Sequence, residues 1–390
     1  MNKKNFSKWV VLTVVVWMTL VAGVSCNQQK KSDNVEEEAT EDEVTEDQLE
    51  ALADVMSKYS IVNAFSDGLA VVSDKTTNLW GAINKEGEEV IPCTFQYIAE
   101  AFHEGVAIAV KNSDADHGVV IDKEGHILFT LEYEYCGQQF HDGLLAICKT
   151  YDTMDYSDLP MVGDIMSFGK LGFIDKTGKM VIAPDTYDVP LGEGPIISEF
   201  SNGLCKVWKN GHPIYIDVTG KELDDPQVGI DSKFSEGRAF EMKDGKLGLV
   251  DDKGNELTPF QFEIITLYED TEGEEPLIGS FHEGLAWAAK DGLFGYIDRE
   301  GKTVIPFRYE PGYESGCGWY NQQPTFDFHQ GVARVWDKES GKFGFIDKDG
   351  NEVSPCRFDE ATDISEGLAT VKIGDDWGFM DTKGNCTIHQ

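Results

Sequence analysis

From Tyr59 onward apolar residues fall in short runs at alternating positions, and no stretch there keeps a helical spacing. Leu69-Ala70-Val71-Val72 and Leu368-Ala369-Thr370-Val371 typify one kind of run, and Phe173-Ile174, Tyr296-Ile297 and Phe345-Ile346 a second. Period two with short apolar and β-branched residues predicts strands. Turn residues separate them. Asp175-Lys176-Thr177-Gly178 and Asp347-Lys348-Asp349-Gly350 follow the second run. Aspartate first and glycine fourth suit a type I turn, with glycine taking the positive φ. A third strand then leaves the hairpin, as in Thr303-Val304-Ile305-Pro306. The proline is expected to end its pairing, having no N–H to give.

The pattern recurs eight times. Phe65-Ser66-Asp67-Gly68 opens the first copy, and the opening glycine returns at Gly105, Gly143, Gly203, Gly237, Gly284, Gly331 and Gly367. Spacings run from 34 to 60 residues, so a unit near 36 carries insertions. Self-similarity of this kind marks an array whose units bury apolar faces against one another. The expectation is an all-β tandem array of eight units with three or four short strands each, over residues 55–390. Variable unit length favours an open curved solenoid, while an eight-bladed propeller-like ring is the alternative.

Trp80-Gly81 and Trp377-Gly378 occupy one slot of the unit; Leu171-Gly172, Leu247-Gly248, Phe294-Gly295 and Phe343-Gly344 keep its glycine. With eight phased copies, the chain from about Tyr59 to Gln390 resembles the bacterial WG-repeat family. The resemblance implies an architecture and little about activity. Gly118-Val119 and Pro213-Ile214 depart from the slot, so their units are expected to pack less regularly.

The N-terminus reads differently. Lys3, Lys4 and Lys8 precede an apolar run from Trp9 to Val24, and Ala22-Gly23-Val24-Ser25 leads to Cys26. A basic start, a short apolar core and small residues before a cleavage point mark an export signal over residues 1–25. It resembles the type II signals of bacterial lipoproteins, which implies lipidation of Cys26 and an outer-membrane lipoprotein of the cell envelope; Gly23 stands where leucine is usual. Residues 26–54 are acidic and polar, expected as a disordered tether, with Leu49 to Met56 able to form a short helix. Acidic residues soon after the cysteine also resemble export tags of surface-exposed lipoproteins.

Seventy acidic against 33 basic residues give a net charge of −37, which argues against a nucleic-acid partner. Beyond Cys26, seven cysteines without a Cys-x-x-Cys pair indicate neither a disulfide framework nor a zinc knuckle. His103, His141, His282 and His329 invite a metal reading, yet Ser66, Ser201, Ser235 and Ser365 fill the same slot elsewhere. A turn position favouring a hydrogen-bonding side chain explains both, and no metal or cofactor is expected. Asp347-Lys348-Asp349-Gly350 lacks the alternating ligands and twelfth-position glutamate of a calcium loop. No nucleophile elbow, phosphate loop or His-Glu-x-x-His is present, so no catalytic residue is assigned.

The insertions carry the functional expectation. From slot glycine to next opening glycine, ordinary units take 23 or 24 residues, but Gly172 to Gly203 takes 31, and Gly248 to Gly284 and Gly295 to Gly331 take 36 each. Loops inserted at equivalent positions emerge on one face, often the binding face. The last includes Pro311 to Tyr320, where Tyr313, Trp319 and Tyr320 are candidate contacts. A non-catalytic scaffold meeting a protein or glycan of the envelope is expected. The rival is an enzyme of envelope polysaccharide using paired carboxylates.

Overall fold

The computed structural model describes residues 44–99, 101–111, 118–133, 135–151, 159–163, 165–191, 197–201, 203–223, 235–251, 253–264, 279–309 and 326–388. The fold begins earlier than the expected boundary at residue 55. Helix α1 spans Glu46–Met56. The Thr45 hydroxyl accepts from the Gln48 N–H at 3.2 Å, and the Gln48 side chain accepts from the Thr45 N–H at 3.0 Å, a reciprocal capping box. Leu49, Leu52 and Met56 share one buried face. The tether expected through residue 54 therefore gives way to a packed helix at Glu46, because apolar residues at helical spacing find a core to enter.

Each regular unit is an antiparallel meander. The first comprises Tyr59–Ser66, Leu69–Asp74, Trp80–Ile83 and Glu89–Phe95. Tyr97–Ile98 then opens the second, followed by Val106–Val110, Val119–Asp122 and Ile127–Thr130. The third and fourth units merge into one eight-stranded sheet, since Met180–Pro190 also pairs through Asp188 with Trp208. The predicted type I turns form. In one, the Asp175 carbonyl accepts from the Gly178 N–H at 2.8 Å, and its carboxylate accepts from the N–H groups of Thr177 and Lys179. Gly178 has φ +80°.

The slot glycine has a packing reason. Opposite Gly344, strand Glu352–Phe358 bulges, so that Phe343 faces Phe358 while Phe345 faces Ser354. A Cβ on Gly344 would lie 2.8 Å from the Cys356 backbone nitrogen, and one on Gly295 would lie 2.6 Å from the Ile305 carbonyl oxygen. Only glycine lets the bulged strand cross so closely. The bulge also corrects the expectation for proline. Pro92 does not end its strand; pairing slips past it and resumes where Phe95 meets Trp80. Inside a bulge no ladder N–H is asked of it. Val119 takes the glycine position of the second unit, where pairing keeps a narrower slip. In the fourth, with Ile214 there, the described part of the last strand is Glu222–Leu223.

Apolar cores lie between units. Leu69, Val71 and Ile91 of the first unit pack with Ile98, Phe102 and Ile121 of the second. The decisive junction joins the ends of the chain. Val62, Phe65 and Val72 share a core with Leu368 and Phe379 of the eighth unit and with Leu49 and Leu52 of α1. Phe65 and Phe379 stand 5.0 Å apart, and Ser365 Oγ donates to the Phe65 carbonyl at 2.6 Å. The favoured open solenoid is thus corrected to the alternative, a closed propeller-like ring.

Candidate functional site

Two places gather functional side chains. One is the rim formed by the opening turns. Ser66 Oγ donates to the Phe102 carbonyl at 2.6 Å, His103 Nδ1 to the Phe140 carbonyl at 2.5 Å, and Ser235 Oγ to the Phe281 carbonyl. The His/Ser slot thus passes a hydrogen bond to the next unit's phenylalanine. His103 and His141 are 5.0 Å apart, and His282 and His329 5.4 Å.

The residue after that slot went unread in the sequence. Asp67, Glu104, Asp142, Glu236, Glu283, Gln330 and Glu366 all adopt φ between 51° and 54°, an uncommon state for residues other than glycine. Each accepts from the opening N–H of the following unit. Gly105 donates to Asp67 at 2.6 Å, Gly143 to Glu104 at 2.9 Å, Gly203 to Asp142 at 2.7 Å and Gly284 to Glu236 at 3.0 Å. Gly331 donates to Glu283 at 2.9 Å, Gly367 to Gln330 at 2.6 Å, and Gly68 to Glu366 at 3.0 Å across the closure. A cation from the following unit's Asp-Lys-x-Gly turn completes several clamps: Lys176 on Glu104 at 2.9 Å, Lys348 on Glu283 at 2.8 Å, and Lys85 on Glu366 at 3.5 Å. Burial raises the pKa of Glu104 and Glu283, but the lysine and the backbone donors outweigh it and hold both carboxyls below their usual range.

Asp327 is the exception among rim carboxyls. It is 8% exposed, with Oδ2 3.4 Å from His282 Nε2 and from Ser280 Oγ, and its Oδ1 meets no partner. Burial pushes its pKa up against the pull of His282 and His329. Among the described residues, the group whose ligand atoms lie within 4.8 Å of one another is Asp122, Glu124 and His126. Asp122 there already accepts from the N–H groups of Glu124 and His126 within its own turn.

The second place is a cleft of about 600 Å³ between the sixth and seventh units, lined by Arg308, Tyr309, Trp336, Asp337, Lys338, Glu339 and Cys356. Thr303–Tyr309 brings the first two, and Val332–Asp337 brings Trp336. Four residues link Asp337 to Lys342, whereas Asp244-Gly245 and Asp291-Gly292 turn the corresponding hairpins with two. Asp337 holds that longer turn by accepting from the Ser340 N–H at 2.8 Å and from its hydroxyl at 2.5 Å. Those bonds hold its pKa below the carboxylate range. Arg308 stacks on Tyr309 and donates to its hydroxyl and to the Gly350 carbonyl, each at 2.7 Å.

Cys93, Cys148, Cys205, Cys356 and Cys386 are free thiols. Burial pushes Cys148 and Cys205 up to about 12, which keeps them unreactive. Cys26 and the candidate contacts Tyr313, Trp319 and Tyr320 lie outside the described residues.

A family model described as WG containing repeat matches residues 80–113, 120–150, 172–211, 294–310 and 343–375. These segments are WG repeats. Four of the five matches start at or beside a slot whose glycine lies under the bulge, and the second starts beside Val119. No curated protein matches the chain. Solved structures of similar form include BamB from Moraxella catarrhalis, 11% identical over 74% of this chain and 80% of that one, with a TM-score of 0.31. AztD from Citrobacter koseri is 13% identical over 74% and 83%, at 0.34. Sqt1 from Saccharomyces cerevisiae is 10% identical over 82% and 93%, at 0.39. At scores this low the likenesses bear on neither ligand nor partner.

Proposed function

We propose that this WG-repeat chain is a non-catalytic binding or scaffold protein of the bacterial envelope, meeting a protein or glycan on the face that carries its inserted loops. One observation carries the reading. At the junction of the sixth and seventh units, Trp336 and the turn after Asp337 line one cleft with Arg308 and Tyr309, the end of the strand after which one of the two longest insertions follows in the sequence.

The basic start, apolar run and small residues before Cys26 support export, acylation at that cysteine and an outer-membrane lipoprotein, with the acidic stretch holding the repeats away from the membrane. Among the described residues no helix is long and apolar enough to cross a membrane. Cys26→Ala is expected to abolish palmitate labelling and detergent-phase partitioning. Crosslinking in intact cells is expected to capture an envelope component through the sixth and seventh units. Full detergent partitioning by the variant would remove the anchor, and capture solely of cytoplasmic proteins would remove the envelope role.

A further inference from the structure

We propose that the cleft between the sixth and seventh units binds a neutral saccharide unit of a glycan, with a pyranose ring against the Trp336 indole. The inference rests on the binding reading above and names its ligand class.

Trp336 sits at a slot filled by Ser73, Val110, Cys148, Trp208, Met242, Ala289 and Lys372 in the other units. The fold accepts small, apolar and charged residues there, so it does not call for an indole. Trp80 packs on Tyr97, Trp287 on Phe326 and Trp377 under Lys372, but among the described residues no ring or cation stacks on Trp336. Its indole N–H is shielded from solvent and meets no acceptor. That shielding keeps the N–H out of a sugar hydroxyl's reach, so the contact expected is with the face of the ring.

Size and charge narrow the ligand. About 600 Å³ falls among small-molecule sites rather than the broad patches proteins bury against each other. Arg308 and Lys338 balance Asp337 and Glu339 around the cleft. A phosphate or polyanion gains no net attraction there, and a chain of net charge −37 repels it from afar. Carboxylates that accept and a guanidinium that donates suit the mixed hydroxyls of a neutral sugar. Arg308 spends one nitrogen on Tyr309 and Gly350, and its remaining N–H groups are left for a ligand. Tyr309, already faced by Arg308 and by Phe294 at 5.6 Å, forms wall rather than platform.

Calorimetric titration of the full chain with cellohexaose, maltohexaose, laminarihexaose and chitohexaose tests the proposal, with oligogalacturonate and inorganic phosphate as anionic controls. At least one neutral hexamer is expected to bind and the anions to bind more weakly. Trp336→Ala should weaken binding about tenfold or more, the effect of losing a central aromatic. Because Trp336 is half-buried, Glu339→Ala on the exposed turn is the second variant, expected to weaken binding while the melting temperature stays put. Absence of binding by all four hexamers, or binding indifferent to both variants, overturns the saccharide assignment. Preferential binding of the anions overturns it too. If crosslinking still captures an envelope protein while no hexamer binds, the saccharide falls and the binding reading stands.

Discussion

At the scale of single residues, the slot glycine and the rim carboxylate set the repeat's tolerances. The glycine carries no side-chain chemistry, yet a neighbouring strand crosses over it at contact distance. Gly344→Ala puts a methyl 2.8 Å from the backbone nitrogen and sulfur of Cys356, and backbone cannot swing aside as a flexible side chain would. Overpacking of this kind costs about 1–3 kcal/mol. Chemical denaturation should show that loss, and an unchanged midpoint would mean the bulge relaxes freely. The same contact explains why valine in the second unit coincides with a narrower slip in pairing. The rim carboxylates act across units instead. Their left-handed backbone is held by side-chain bonds to the next opening turn.

Among elements, α1 does work at the closure that its place outside the repeats conceals. Gly87 of the first unit's turn packs against Ala51 of the helix, whereas the turn glycines Gly125, Gly178 and Gly350 pack on third-strand residues of the preceding unit, Ile91, Phe129 and Ile305. The helix therefore supplements the eighth unit, which ends in a single bridge between Met380 and Cys386 rather than a full last strand. Leu52 is fully buried in that closing core. Leu52→Ala is expected to cost about 2–5 kcal/mol, while Glu50→Ala on the exposed face should stay within about 0.5 kcal/mol. Equal midpoints for the two variants in urea would detach the helix from the ring.

For the whole molecule, closure makes stability depend on a circuit of carboxylate clamps, and hence on acid. Glu283 is held below its usual pKa because Lys348 and the Gly331 N–H outweigh its burial. A carboxyl with a depressed folded pKa stabilises fully above its unfolded value, about 4.3 for glutamate, and loses that contribution as pH falls through the folded one. Glu283→Gln keeps an acceptor but not the charge. Wild type should melt above this variant at pH 6, with the gap closing as pH falls below the ordinary glutamate range. A gap that widens in acid would contradict the clamp. Comparing the two proteins at each pH cancels the relief of general self-repulsion that acid brings to so anionic a chain.

Much of this was legible in the sequence because it is local and repeated. Alternating apolar runs, Asp-to-Gly turns and eight phased glycines dictate strands, hairpins and a unit count, since each depends on neighbours a few residues away. The His/Ser slot was readable as a hydrogen-bonding turn for the same reason. Its target, the next unit's phenylalanine carbonyl, was not, nor was the acidic residue beside it, whose partner lies a whole unit distant. Closure belonged to tertiary structure alone. Phe65 and Phe379 look like any other core residues in the chain, and whether the last unit reaches the first depends on small rotations summed over eight junctions. The cleft at Trp336 was equally hidden. Sequence shows a tryptophan in a strand, but only the meeting of two units decides whether anything packs over it.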